Sequence, residues 1–318
     1  MDAVKTLHPA ITLAIQEEWA LTRACMAGES AMKREAEAYL PVPSGFRSQD
    51  DNGAAAYLAY RERAQFPALL APSVGAMIGI IHGQEINIDM PTQMNFLWED
   101  ADGMGLPLEA FHRRITRELL TIGGYGVLAD VEASGGNPYL AGYSRGTIIN
   151  WDKNWFVLDE SAKVRDGFEW KDVEKYRELL LEDGACKAIV YEGETKTQVD
   201  MRGRGSKQLS RVPFAVANSL DLSAKIESPP LIGVSNAAKA IYQLSADYRH
   251  QLYMSGQETL VAINGEAPSA VGAGVVHEMQ GSEGVVPDLK YVSPTCSGIT
   301  AHKEAMAEQR EAAVQAGA

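Results

Sequence analysis

The last third of the chain opens with SNAAKAIYQLSADYRHQLYM at residues 235–254 and closes with TAHKEAMAEQREAAVQ at residues 300–315. The first segment repeats apolar residues at helical spacing, and Ser235 belongs to the residue types that cap helix N-termini. Thr300 offers the same cap to the second, alanine-rich segment. We therefore predict one helix from Ser235 to about Met254 and a final helix that begins at Thr300.

The stretch between these two helices has the pattern of a small β module. Apolar runs at residues 259–263, 275–279 and 289–292 are separated by Gly and Pro, which is typical of short strands joined by turns. The end of the chain is therefore predicted to form a helix, a β tip and a second helix.

The longer upstream part has a mixed pattern, and Pro229-Pro230 marks its end. Helical spacing of apolar residues predicts helices at residues 11–38, from residue 54, at 69–81, at 107–122 and, as a short one, at 170–181. Apolar and β-branched runs predict strands at residues 125–130, 139–143, 147–151, 155–158 and 188–191. The sequence thus predicts an α+β protein.

The charge balance argues against tight binding of nucleic acid. The 318 residues carry a net charge of -13, whereas proteins that grip phosphates are basic at least in patches. The clearest basic run is Arg202, Arg204, Lys207 and Arg211, interpreted as a solvated loop or, alternatively, a docking patch. The three cysteines are far apart and do not have zinc-site spacing. Neither a long apolar stretch nor a secretion signal is recognised, so we expect no membrane partner.

One motif matches a catalytic pattern. Residues 142–146, GYSRG, fit the nucleophile elbow of serine hydrolases, which requires a strand, a sharp turn and then a helix around Ser144. The residues that follow, 147–151, are β-branched and strand-like. We therefore interpret the motif as a hairpin turn and keep a serine hydrolase using Ser144 as an unfavoured alternative.

Two acidic patterns resemble metal sites without completing them. Asp100, Asp102 and Gly103 suggest a calcium loop, but the Gly and the Glu that an EF-hand requires are not at their positions. Glu109 and His112 form a single Glu-x-x-His, whereas di-iron bundles need two such motifs and two further Glu. We interpret the first group as a turn and the second as a surface pair.

The remaining candidate is a glycine-rich loop. Gly272-Ala273-Gly274 begins like a dinucleotide-binding loop, but His277 stands where a glycine is required, and no βαβ context is predicted. The sequence also lacks the phosphate-binding loop of ATPases. We therefore predict a protein that is not an enzyme, with no catalytic residue, no cofactor and no metal ligand.

Local strings in consistent order and spacing over nearly the whole chain resemble the portal proteins of tailed bacteriophages, in a branch long described only as a phage family of unknown function. The matching strings are Trp19 with Gly28; Tyr39-Leu40-Pro41; Tyr57, Tyr60, Arg61, Arg63-Ala64 and Phe66; Val74-Gly75 and Ile78-Gly79; Asp102-Gly103 with Leu108 and Phe111; Glu118-Leu119-Leu120; Gly124-Tyr125-Gly126-Val127-Leu128 and Asp130; Pro138-Tyr139-Leu140 with Tyr143; Ile148-Ile149-Asn150-Trp151; Val212-Pro213-Phe214; and Tyr242, Ala246-Asp247-Tyr248 and His250.

The resemblance implies a division into the parts of a portal subunit. Residues 1–230 would be the wing, 231–256 the first stem helix, 257–298 the β clip and 299–318 the second stem helix. Portal chains run on beyond such a helix into tunnel and crown parts, so we expect these to be absent here or the chain to be truncated.

The resemblance also implies a function and partners. About twelve copies would form a ring at one capsid vertex of the virion, assembled in the cytoplasm of the host bacterium. Double-stranded DNA would pass through without sequence-specific binding, the clip would dock the terminase large subunit and then head-completion or adaptor proteins, and the wing would contact capsid and scaffold proteins. Within the stem we expect Lys303 and Arg310 to face the channel. The alternative is another ring-forming head–tail adaptor.

Overall fold

The structure is a computed structural model that describes residues 2–47, 50–84, 87–131, 135–203, 206–256, 258–266, 268, 270–271, 278–280, 284–293 and 298–317. The chain forms two compact units. The first contains Met1–Ala27 and Ala68–Ser235, with Gly317, and the second contains Gly28–Pro67 and Asn236–Ala316. The combination of helices and strands confirms the predicted α+β class.

The helices agree with the predicted segments in most places. They are α1 (Leu13–Ala27), α2 (Glu29–Arg34), α3 (Ser44–Arg47), α4 (Asp50–Arg63), α5 (Leu70–Ile81), α6 (Leu108–Thr121), α7 (Ile232–Ser255) and α8 (Ile299–Gly317), with short 3-10 helices at Asp2–Lys5, Ala36–Ala38, Thr92–Trp98 and Arg145–Thr147. The predicted helix over 11–38 is interrupted at Gly28, whose φ of 89° is a conformation that favours glycine and ends α1.

The strands form two larger sheets and two hairpins in the part of the chain that the structure describes. They are β1 (Gly124–Asp130), β2 (Tyr139–Ser144), β3 (Ile148–Asp152), β4 (Trp155–Asp159), β5 (Ala162–Asp166), β6 (Glu169–Val173), β7 (Lys175–Glu182), β8 (Ala185–Glu192), β9 (Thr195–Asp200), β10 (Phe214–Asn218), β11 (Thr259–Ile263) and β12 (Asp288–Val292). The sheet orders are β10-β1-β2 and β3-β4-β7-β8-β9, and β5-β6 and β11-β12 pair alone. All these pairings are antiparallel.

The core of the first unit contains the predicted apolar face of α6. Phe111 on this helix packs with Ala101 and Tyr125, and Leu108, Ile115 and Leu119 surround them. A second cluster joins the two sheets through buried residues that include Leu128, Ile148 and Leu179. Gly123 then ends the helical segment with a φ of 81°, as its glycine identity predicts.

The predicted short helix at 170–181 is wrong. These residues belong to β6 and to β7, and β7 pairs with both β4 and β8. Lys, Glu and Leu in this segment are good helix formers, but Tyr176 and Leu179 are buried in the sheet, and pairing on both sides outweighs local propensity. The short strands β5, β9 and β10 were not predicted.

The predicted helix caps at Ser235 and Thr300 are also wrong. Helix α7 begins at Ile232, after a turn in which the Ile232 amide donates to the Pro229 carbonyl oxygen at 3.0 Å. Ser235 lies fully buried within the first turns, and its hydroxyl donates to the Leu231 carbonyl oxygen at 3.4 Å. Helix α8 begins at Ile299, so Thr300 is already inside its first turn.

The second unit contains the β hairpin that follows α7. Strands β11 and β12 pair from Thr259 with Val292 to Ile263 with Asp288, which confirms two of the three predicted strands. Of the third, residues 275–277 lie outside the described residues, as do Cys296 and Arg204, and residues 278–280 are not in a strand. The assignment of wing, stem and clip stays a prediction.

Candidate functional site

Helix α7 is held in the second unit by the segment that precedes α5. The Tyr60 hydroxyl on α4 donates to Asp247 Oδ1 at 2.6 Å, and the Gln243 amide donates to the Tyr39 carbonyl oxygen at 2.8 Å. Phe66 packs edge-on against Tyr242, with 6.2 Å between the ring centroids. These contacts fix the face of α7 that points toward residues 39–66.

Ser245 attaches α7 to the backbone of Gln65. Its Oγ accepts from the Gln65 amide at 2.9 Å and lies 2.8 Å from the carbonyl oxygens of Gln65 and Tyr242. Ser245 itself is buried, with 5% of its surface exposed. The Gln65 side-chain oxygen in turn accepts from the Arg249 guanidinium.

Three rings, one each from α3, α4 and α7, pack together where these helices meet. Phe46, Tyr60 and His250 meet edge to face, with ring centroids 5.6–5.7 Å apart. Burial, followed by the bond to Asp247, raises the pKa of Tyr60, so its hydroxyl stays a donor. Burial, and then the nearby Arg63 charge, lowers the pKa of His250, which favours the neutral form of the ring.

Helix α8 lies beside α7 and borders a cleft of about 420 Å³. Lys303 Nζ sits 5.8 Å from the centroid of the Tyr248 ring, and His302 Nε2 is 3.0 Å from the Gln251 amide nitrogen. The lining of the cleft consists of Gln65, Phe66, Pro67, Ile241, Ser245, Tyr248, Arg249, Lys303, Met306, Ala307 and Arg310.

The structure brings the two predicted site residues together. Lys303 and Arg310 are exposed on the same side of α8 and line this cleft, and Arg249 from α7 joins them. Sequence reasoning missed Arg249, although a signal was present. Arg249 stands eight residues after Ile241, which places a basic side chain on the apolar face of α7.

The surroundings of Ser144 do not have the arrangement of a nucleophile elbow. Strand β2 ends at Ser144, one 3-10 turn follows, and the chain enters β3 instead of a helix. The Arg23 guanidinium donates to Ser144 Oγ at 2.8 Å. The predicted hairpin is also wrong, because β2 pairs with β1 and β3 pairs with β4, so the motif connects two sheets.

Arg145, next to this serine, has a structural role. It is 2% exposed, stacks over the Trp151 ring at 4.1 Å and donates to the Ala224 carbonyl oxygen at 2.8 Å. Burial lowers the pKa of Arg145 to about 10. Arg145 therefore stabilises the connection between β2 and β3, which belong to different sheets.

The acidic loop after residue 99 is a turn, as predicted. Asp102 Oδ1 accepts from the amides of Met104 and Leu106 at 3.0 and 3.1 Å, and Asp100 Oδ1 accepts from the Gly105 amide at 2.9 Å. Their lone pairs stabilise the backbone of the loop, which is the usual use of Asp in turns.

Glu109 and His112 each contact a different side chain. Glu109 forms an ion pair with Arg113 at 2.7 Å, and the His112 ring lies edge-on to His82, with 4.8 Å between their centroids. His82 Nε2 is 2.9 Å from Thr116 Oγ1. Among the described residues, no group of three or more His, Cys, Asp or Glu side chains is arranged to hold a metal ion. Residues 272–274 and His277 lie outside the described residues.

Comparisons with known proteins give structural similarities only. No family model matches the chain, and no curated protein matches it. Among described helices, none is long and apolar enough to cross a bilayer.

Three solved structures illustrate the similarity. A chain of the "neck of empty GTA particle computed with C6 symmetry" is 14% identical, with 78% of this chain and 64% of that chain covered and a TM-score of 0.41. A chain of the "virion of native gene transfer agent (GTA) particle" is 14% identical, with 81% and 66% covered and a TM-score of 0.40. A chain of the "neck of native GTA particle computed with C12 symmetry" is 16% identical, with 77% and 64% covered and a TM-score of 0.39. The chain thus spans 64–66% of the length of these chains, and similarity of this degree does not assign it to a family.

Proposed function

We propose that this chain is one subunit of the portal ring of a tailed bacteriophage. The observation that carries the proposal is the order α7, β11-β12 hairpin, α8, most of which lies in the second unit and which has the form expected of a stem, a clip and a returning stem helix. The strings Tyr57 to Phe66 and Tyr242 to His250, which carry part of the sequence resemblance, contact each other in this unit through Tyr60 and Asp247.

In this proposal the chain acts as a passage for double-stranded DNA and performs no chemistry of its own. A net charge of -13 suits a surface along which phosphates slide, because like charges repel and the duplex is not held. Lys303 and Arg310 face the channel and give weak, transient contacts. ATP hydrolysis belongs to the terminase that docks on the ring.

The proposed partners follow from the same assignment. The hairpin tip meets the terminase large subunit and later a head-completion or adaptor protein, and the first 230 residues meet capsid and scaffold proteins. The ring is placed at the portal vertex of the virion after assembly in the bacterial cytoplasm.

The test is to image the purified chain by negative-stain electron microscopy and to measure its mass. Closed rings with a central hole support the proposal, and a stable monomer contradicts it. Rings that bind neither terminase nor packaged DNA would instead favour the second candidate, a ring-forming head–tail adaptor. Hydrolysis of simple esters that is lost in Ser144→Ala would favour the hydrolase alternative.

A further inference from the structure

Three cations converge on the cleft between α7 and α8. Arg249, Lys303 and Arg310, together with Gln65, form what we call the basic cleft, and its described lining contains no carboxylate. Within the described ranges none of the three cations makes a salt bridge, and only Arg249 has a carboxylate nearby, that of Glu29. Arg249 is instead bound by the Gln65 side chain, and Lys303 lies over the Tyr248 ring.

Such a cleft is unusual in a chain with this charge. Acidic residues outnumber basic ones by 42 to 29, so three cations with no carboxylate in the lining of the cleft are a local exception. Cations that converge on a concave site without salt bridges favour an anionic occupant.

The same helix carries an exposed anionic surface of matching spacing. Glu304, Glu308 and Glu311 are exposed. Glu308 follows Glu304 by four residues and Glu311 follows it by seven, which places the three in one row along the helix that we call the acidic stripe. Each member directly follows a residue of the cleft, since Glu304 follows Lys303 and Glu311 follows Arg310. One residue turns about 100° around the helix and rises about 1.5 Å, so the two rows point in different directions at nearly the same height.

Rotational symmetry brings these rows together. A rotation about a ring axis leaves the height of every residue unchanged, and in a head-to-tail ring one flank of each copy meets the other flank of the next. In the proposed ring α8 is a stem helix that runs roughly along the axis, so Lys303 of one copy and Glu304 of the next copy would lie at nearly the same level, as would Arg310 and Glu311. Ala307, small and placed between the two cations, leaves space in which Arg249 can meet Glu308.

We propose that the basic cleft of one copy receives the acidic stripe of the next copy and that these charge pairs close the seams of the ring. The inference rests on the proposed ring. It adds that Lys303 and Arg310 lie at the channel-facing edge of each seam, where glutamates of the next copy neutralise them. The contacts of these cations with passing phosphates are therefore weak and transient.

The experiment compares assembly of the full chain with three variants by native mass spectrometry and negative stain at low and high salt. K303E/R310E places like charges across each seam and should raise the concentration needed for half assembly by about tenfold or more. K303E/R310E/E304K/E311K exchanges positive and negative charges between the basic cleft and the acidic stripe. Opposite charges then face each other across each seam again, so assembly should be restored. K153E/K196E changes two exposed cations outside the second unit and should assemble like the parent chain.

The possible outcomes separate the inference from the proposed function. If the parent chain forms no rings, both the proposed portal function and the inference about the seams are refuted. If K303E/R310E forms rings as readily as the parent, or the fourfold exchange folds by circular dichroism and yet fails to assemble, only the inference falls. If K303E/R310E rings are intact but bind a 30-base-pair duplex less tightly than the parent rings, the cations serve DNA phosphates, and the inference is again overturned.

Discussion

Replacing Ser245 by Ala tests the contact that holds α7 and the basic cleft together. The substitution removes an oxygen that accepts from the part-buried Gln65 amide at 2.9 Å and lies 2.8 Å from the carbonyl oxygens of Gln65 and Tyr242. Ser245 is 5% exposed, so water does not readily replace the lost partner.

The magnitude follows from the group left unpaired. A fully buried amide without a partner costs about 1–3 kcal/mol, the part-buried Gln65 amide belongs at the lower end of this range, and replacing Ser by Ala inside a helix returns a few tenths of a kcal/mol. We therefore expect Ser245→Ala to lower the free energy of unfolding by about 1 kcal/mol. Ser255→Ala is the matched control, since Ser255 lies at the exposed end of the same helix and its hydroxyl contacts only the Leu252 carbonyl oxygen, at 3.1 Å.

Urea unfolding with two spectroscopic probes measures the effect. All five tryptophans lie in the first unit, so their fluorescence follows that unit, whereas helical circular dichroism includes α4, α7 and α8 of the second. The prediction is a shift of the circular dichroism transition for Ser245→Ala and almost none for Ser255→Ala. Equal stabilities of the two variants, within about 0.5 kcal/mol, would refute the role given to Ser245.

Two further predictions concern the first unit. Leu179→Ala removes a fully buried side chain of β7 and should cost about 2–5 kcal/mol, read from tryptophan fluorescence in urea, while the exposed Thr197→Ala on β9 should cost little. Burial, then the neighbouring His112 and Arg113 charges, lower the pKa of His82, with Glu109 opposing them. The unfolded chain therefore takes up a proton that the folded chain does not, so stability should fall as pH drops below about 6.5. A melting-temperature profile from pH 8 to 5 that is the same for His82→Gln as for the parent would contradict this.

Local patterns predicted the elements in which propensity and packing agree. Strand β1 and the stripe of α6 are visible in sequence because their apolar residues repeat at the period of the element and glycine ends the helix. The two strands of the tip were found for the same reason, since Gly and Pro bound short apolar runs.

The incorrect predictions concern residues whose secondary structure is not set by the local apolar pattern. Residues 170–181 favour a helix locally, and only the partners β4 and β8 make them strand. The break at Gly28 depends on a single backbone angle that an apolar pattern does not show. Ser235 resembles a cap, but the turn that begins at Pro229 starts the helix earlier.

The candidate site was only partly visible from sequence. Lys303 and Arg310 were chosen because they are basic residues on an alanine-rich helix, and the structure places both on one cleft. Arg249 and the Ser245 contact come from parts of the chain that meet only on folding, about 180 residues from Gln65 in the case of Ser245. Whether the two predicted residues face a channel stays a prediction.

The most direct measurement of the central claim is the mass of the assembled particle together with its image. Twelve copies of 34.5 kDa give a particle of about 414 kDa, and we predict closed rings of about this mass with a central hole. A particle of 34.5 kDa at all protein concentrations, without rings in the image, would contradict the account.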